Sequence, residues 1–456
     1  MNGAPSAVGD RPAPRSLPRV IGPFSATAIV VGSMIGSGIF RSPAVVAERV
    51  GSPMVLLAVW LVGGALALSG ALSMAEVGSA LPRTGGLFAY LKEAWGPLPA
   101  FLFGWSELVV IRGVSFAAVS ITFAEYAYRV LGLDPTLGST RVVAALAMAI
   151  VAAVNIVGVR QSTRLVNATA IARAGGLLVL ILLAVLVGLP KTGGHFAQPP
   201  GATFHLSSFG FALVGVLWSY DGWGDLSRVG GEVRDPEKTF PRAVIAGTLI
   251  VTALYVGANL GYLSVLSVDA MQSSPLVAAD VAEQLVGRVG RAAIGIIVVI
   301  SALGSLHTAC LTAPRIFFAM ADDGLFFRFV AKVHPRYQTP HVAILLGIGL
   351  GIVLVLSRSF AQLADSYVTA MVPFYALGVG TIFVLRRRPS YRPSFRTPGY
   401  PIVPLVFLAT CLWLLANAVG NPESRMGALV VLGLVGAGIP VYWLVFRNRT
   451  QSIATE

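Results

Sequence analysis

Gly32-Ser33-Met34-Ile35-Gly36-Ser37-Gly38-Ile39-Phe40 lies inside an otherwise apolar segment, yet holds three glycines and two serines between Gly32 and Gly38. A glycine in a helix interior costs about 1 kcal/mol relative to alanine. Gly32 and Gly36 also have the small-xxx-small spacing of close helix packing in membranes. This run alone therefore leaves a tight helix contact and a broken helix both open. A second run tips the balance: Leu217-Trp218-Ser219-Tyr220-Asp221-Gly222-Trp223-Gly224-Asp225 puts two acids, two glycines and three aromatics into another apolar segment. A carboxylate at that depth costs on the order of 3 kcal/mol, so it must face a cavity, a partner or a substrate.

The composition around these runs is that of a membrane protein. Of 456 residues, 55% are hydrophobic and 12% charged, about half the charge of a soluble domain. Continuous apolar runs such as Leu177–Leu189 read as helix, not as the alternating strands of a barrel. The net charge of +13 reads as cytoplasmic loop charge and not as a nucleic-acid surface. Cys310 and Cys411 both fall in apolar runs and imply no disulfide framework. Residues 1–20 are rich in Pro, Ala and Gly, lack a signal-peptide pattern and read as a disordered cytoplasmic tail, as do residues 448–456.

Twelve spans follow from hydropathy. Spans 1 to 6 are Gly22–Phe40, Met54–Ala80, Leu98–Arg129, Arg141–Gly158, Val166–Leu189 and Ser207–Val229. Spans 7 to 12 are Ala243–Leu266, Ala292–Ala321, His341–Leu356, Phe360–Leu385, Ile402–Val419 and Gly427–Phe446. With both termini in the cytoplasm, two thirds of the 33 Lys and Arg fall on inner segments. Arg41 and Arg49 are expected in an outer loop after span 1, and Arg112 and Arg173 lie within spans. No soluble domain fits between the spans.

Glycine-interrupted spans in first and sixth position point to a transporter site between two five-span repeats of inverted topology. The repeats are expected over 21–190 and 207–388, with 396–447 holding two peripheral spans. A helix broken in mid-membrane exposes N–H groups at the start of its second half and carbonyls at the end of its first. The N–H end attracts an anion and the carbonyl end a cation. A zwitterionic α-amino acid carries both groups on one carbon. Gly36 and Gly38 let a carboxylate approach without an intervening Cβ.

Several stretches resemble the amino acid–polyamine–organocation superfamily, and within it the L-type amino acid permeases. They are SMIGSGIF (Ser33–Phe40), ALPRTGGLFAYLKEAWG (Ala80–Gly96), LWSYDGWGDL (Leu217–Leu226) followed by GGEVRDPEKTFPRAV (Gly230–Val244), GSLHTACLTAPRIFFAMADDGLFF (Gly304–Phe327) and RTPGYPIVPL (Arg396–Leu405). The resemblance implies an all-α integral membrane protein of twelve transmembrane helices in the leucine-transporter-like fold, working by alternating access. It implies a substrate α-carboxylate at Gly36, Ser37 and Gly38. The α-amine is then expected at carbonyls near Met34, Ile35, Trp218 and Ser219, with Tyr220, Asp221 and Gly222 completing the site and Trp218 gating it. Arg173 stands where this branch often has a lysine, whose ammonium sits near the sodium site of coupled relatives. Sodium-independent transport follows as an expectation. The alternative of the same fold is a polyamine or other organic-cation carrier.

Asp221 stands where many relatives are neutral. Three roles are open to it: holding a cationic amine, carrying a co-transported proton, or pairing with Arg112 or Arg173. Glu76 and Glu107 are expected in helix pairing, and His307 in packing with a lesser prospect of a proton role. The span 3–4 loop, Val130–Thr140, has no cysteine, so no disulfide-linked heavy chain is expected. A monomer or weak homo-oligomer is expected. No metal ligand set, phosphate loop or nucleophile–base pair stands out, so neither cofactor nor enzymatic activity is expected. The cysteine-poor composition and short tails point to a bacterial inner membrane.

Overall fold

The computed structural model describes residues 19–447 except 84, 158–162, 199–202, 275 and 338. The expected C-terminal tail, and all but the last two residues of the N-terminal one, lie outside the described residues. What is described is a helical bundle. Nine helices are long and apolar enough to cross a membrane, and Pro23–Met34 with Gly38–Val50 forms a tenth span bent by 42°. Leu206–Tyr220 and His341–Ser357 are shorter apolar helices at the positions of spans 6 and 9. Each expected span thus has a helical counterpart among the described residues.

Span 1 breaks where its glycines are, but its second half runs on to Val50. Arg41 and Arg49, expected in a loop, lie on that half-helix, eight residues apart and therefore on one face. Hydropathy missed the extension because its charges are neutralised in place. Arg41 Nε lies 2.8 Å from Glu125 of span 3, and Arg49 Nη2 lies 2.8 Å from Asp365 of span 10. Span 6 corrects the expectation in the other direction. Its helix ends at Tyr220, and two 3-10 turns, Asp225–Arg228 and Gly230–Glu232, replace the expected helix out to Val229.

The first half of span 1 packs against span 7 (Pro236–Leu263), which also lies along span 2 (Pro53–Ala80). The second half of span 1 packs against span 6, and span 6 against span 10. Span 3, Pro97–Leu131, holds a π segment at Glu107–Ile111. Wider turns bring residues five apart onto one face, and Arg112 donates two hydrogen bonds to Glu107, the Nη2–Oε1 bond being 2.9 Å. Glu107 therefore pairs within its own span, as expected of a buried carboxylate.

Glu76 is fully buried and joins three elements. Its carboxylate accepts from Arg386 Nε (2.8 Å) and Nη2 (2.6 Å) at the end of span 10, and from the Thr397 amide (2.7 Å). The Arg386 guanidinium also sits 3.8 Å from the Tyr400 ring centroid. This explains the Arg396–Leu405 motif structurally: it folds back onto a buried ion pair before span 11 begins. Glu76→Gln removes the charge from a pair whose other member stays in place, which costs about 3 kcal/mol. The expected outcome is a melting temperature lowered by several degrees in detergent; an unchanged melt would refute this role for Glu76.

Candidate substrate site

The two broken spans meet through their backbones. A Cβ on Gly38 would lie 2.7 Å from Ser219 Cα, and one on Gly222 would lie 2.8 Å from the Ser33 carbonyl. Gly222 also has φ +110°, a conformation that side chains rarely adopt. Both glycines are thus needed for the contact between spans. Gly36 differs: a Cβ there meets nothing within 4 Å. It is also the one residue of Met34–Gly38 that is not buried.

The second half of span 1 begins beside that open space. Its first N–H groups lack helical partners, although that of Phe40 turns back to Ser37 O (3.3 Å), and its N-cap residue Ser37 makes no side-chain capping bond. Here the helix dipole and free donors favour an anion.

The carbonyls on the other side of the break are served by the protein. Tyr255 Oη of span 7 donates to Met34 O (2.7 Å) and Ser219 O (3.1 Å), so one hydroxyl spans both broken helices. Arg173 Nη1 reaches Ile35 O at 3.3 Å, and the Asp221 amide reaches Trp218 O at 3.4 Å. A carbonyl has two lone pairs and a hydroxyl one hydrogen, so acceptor capacity remains for an incoming ammonium. Arg173 also donates to Ser301 O (2.9 Å) and Ser305 Oγ (3.2 Å) of span 8. A fixed cation therefore joins spans 1, 5 and 8.

Trp218 is 9% exposed and packs edge-on against Tyr367 and Phe360, with centroids 4.7 and 6.3 Å apart. The Arg41 guanidinium lies 5.1 Å from the Phe360 centroid, completing a closed layer over the break. The start of span 1 is also tied to the segment that follows span 6. Ile21 and Val233 form an isolated parallel bridge: the Ile21 amide donates to Glu232 O (3.0 Å) and the Arg234 amide to Ile21 O (2.8 Å). Lys92 pairs with Asp323 at 2.7 Å nearby in sequence to the Gly86 amide, which bonds Ser227 O at 3.2 Å.

Asp221 corrects the pairing expectation. Its partners are neither Arg112 nor Arg173 but two tyrosines of span 10: Tyr367 Oη donates to Oδ2 at 2.7 Å, and Tyr375 Oη donates to Oδ1. Arg112 is held by Glu107, and Arg228 lies 2.9 Å from Asp225 and 3.9 Å from Glu107. A cavity of about 40 Å³ opens here between spans 2, 6, 10 and 11, with Asp221, Trp223, Tyr367 and Tyr375 in its wall.

Two other residues singled out from the sequence lie off the break. Tyr220 donates to Trp60 O at 3.1 Å and packs at a tilt against the Tyr255 ring, so its hydroxyl serves the span 2 contact. His307 Nδ1 lies 2.9 Å from Asn155 Nδ2 of span 4, and its Nε2 meets no partner among the described residues. The tyrosines 255, 367 and 375 were missed. The available signal was that a lone tyrosine in an apolar helix must bury its ring and still find a partner for its hydroxyl.

The family model described as amino acid permease matches residues 21–443. The chain is similar to the serine/threonine exchanger SteT of Bacillus subtilis (strain 168), with 31% identity over 95% of this chain and 98% of the relative. It is similar to the human b(0,+)-type amino acid transporter 1, with 29% identity over 97% and 91%. It is also similar to the human cystine/glutamate transporter, with 28% identity over 97% and 89%.

Proposed function

Because this chain belongs to the amino acid permease family, we propose that it exchanges α-amino acids across a cell membrane by alternating access, without sodium. One observation carries the reading of the site. The uncapped start of Gly38–Val50 faces the open space at Gly36, while the carbonyl ends of the first half-helices of spans 1 and 6 converge across the break on Tyr255. That arrangement offers donors to a carboxylate and acceptors to an ammonium borne on the same carbon of the substrate. The resemblance to a serine/threonine exchanger supports small, neutral substrates.

The rest of the reading follows from the same geometry. Arg173 supplies a permanent positive charge between spans 1, 5 and 8, which supports transport without a sodium ion there. Trp218 serves as the gate beside the substrate. Opening on one side requires release of Arg41 from Glu125 and Arg49 from Asp365; opening on the other requires release of the Ile21–Val233 contact. Two inverted repeats, 21–190 and 207–388, carry these motions, and 396–447 stays peripheral. Both termini are cytoplasmic, on the Lys and Arg distribution, and the cysteine-poor composition supports a bacterial inner membrane. The protein acts as a carrier without catalytic chemistry, cofactor or disulfide-linked partner. The burial of both cysteines supports the last point.

Labelled serine uptake into proteoliposomes tests the reading. In sodium-free buffer we expect uptake into vesicles preloaded with amino acids and background counts in empty ones. Dependence on added sodium would overturn the role given to Arg173. Uptake into empty vesicles under a pH gradient would replace exchange by proton coupling.

A further inference from the structure

We propose that Tyr367 and Tyr375 mask the carboxylate of Asp221 and thereby set the substrate class, admitting amino acids with uncharged side chains and excluding those with cationic ones. This rests on the reading of the broken spans as an amino acid site.

Asp221 directly follows the last helical residue of span 6, and the next residue, Gly222, lies against Ser33 and Met34. The backbone that carries its carboxylate is therefore at the break. The side chain turns toward span 10, where Tyr367 and Tyr375 are eight residues apart and share a face. Each takes one carboxylate oxygen. Of the residues lining the cavity beside them, Asp221 alone is charged, and the rest are apolar or aromatic apart from Thr410 and Cys411. In such surroundings a bare carboxylate attracts a cation far more strongly than it would in water. Hydrogen bonds to a charged acceptor are about twice as strong as neutral ones, so a substrate ammonium has two such bonds to displace.

The nearby arginines do not substitute for the tyrosines. Arg112 is engaged by Glu107, and Arg228 by Asp225 and Glu107. Removing a hydroxyl therefore frees an oxygen instead of re-pairing it. The two tyrosines differ in what else they do. Tyr367 packs edge-on to Trp218, whereas Tyr375 lies against Trp223 with centroids 4.9 Å apart. Phenylalanine at 375 keeps that ring contact and deletes only the donor, so Tyr375 is the cleaner position. Both are positioning residues that act through Asp221.

The test compares labelled L-lysine with labelled L-serine entering vesicles preloaded with L-serine, using the full chain. Wild type is expected to take up serine and leave lysine at background. Tyr375→Phe, Tyr367→Phe and the double variant are expected to raise the lysine-to-serine ratio about tenfold. Asp221→Asn added to Tyr375→Phe is expected to return the ratio to the wild-type value, which a merely structural effect of the tyrosine would not produce. Gel filtration identifies any variant that fails to fold, and the remaining tyrosine variants then give the answer. Serine uptake with an unchanged ratio in folded variants overturns the masking proposal alone, as does wild-type lysine uptake equal to that of serine. No uptake of any amino acid by the wild type overturns the underlying reading and the proposal with it.

Discussion

Gly38→Ala and Gly36→Ala are expected to fail in opposite ways, although the two glycines stand two residues apart. At Gly38 the new methyl would sit 2.7 Å from Ser219 Cα, against backbone that cannot swing aside. The two broken spans must separate, at a cost of about 1–3 kcal/mol, and the site built from both of them comes apart. We expect uptake at background and a lowered melting temperature. Gly222→Ala joins this class, because it meets the Ser33 carbonyl and forces a side chain to φ +110°. At Gly36 the methyl meets nothing within 4 Å, so the fold and its melt are expected to stay unchanged. The methyl does stand beside the free N–H groups that we assign to the substrate carboxylate. Binding of labelled serine is expected to weaken at least about tenfold. A Gly36→Ala protein that binds serine normally would move the carboxylate site elsewhere. One that melts early would show that the space at Gly36 belongs to packing.

Arg173→Met is expected to lower the exchange rate about a hundredfold. The substitution keeps an unbranched side chain of comparable reach but withdraws the donors from Ile35 O, Ser301 O and Ser305 Oγ. The Ile35 carbonyl, which lies at the break and outside the helix ladder, is left buried without its donor at a cost of about 1–3 kcal/mol, and that cost falls on the joint between the break of span 1 and span 8. Arg173→Lys keeps the charge but has a single nitrogen in place of a fork. It is expected to fall less, because one ammonium cannot reproduce the spread of three acceptors. Rates measured in sodium and in choline buffer distinguish the alternatives. Equal loss in both fits a fixed cation that organises the break. A wild-type rate in Arg173→Met would remove Arg173 from the mechanism.

The sequence made the position of both breaks legible, because glycines, serines and acids stand out against continuous apolar helix. Boundaries were legible where a span ends in turn residues: span 10 begins and ends at the predicted residues, Phe360 and Leu385. They were not legible where charges are neutralised inside the bundle. Arg41 and Arg49 read as loop because hydropathy registers a charge and not its partner, and Glu125 and Asp365 are 84 and 316 residues away from them. The 3-10 ending of span 6 was hidden for a related reason. Its backbone is held by long-range bonds to Gly86 and Ile21, which no local pattern encodes. The site was legible in its glycines and acid but not in Tyr255, Tyr367 and Tyr375. A lone tyrosine in an apolar helix does not disclose which carbonyl or carboxylate its hydroxyl will meet. The same limit applied to Asp221, whose need for a partner was clear from its depth while the partner's identity was not.

The bridge between Ile21 and Val233 joins the start of span 1 to the segment that follows span 6 through main-chain atoms alone. Such a joint is indifferent to what side chains it carries, since every residue but proline brings the same N–H and every residue the same C=O. Side chains around the pocket can therefore change, residue by residue, without touching the bonds that must be released on opening. The residues able to sever it by substitution are few: proline at 21 or 234 deletes a donor, whereas alanine at either position leaves both bonds available.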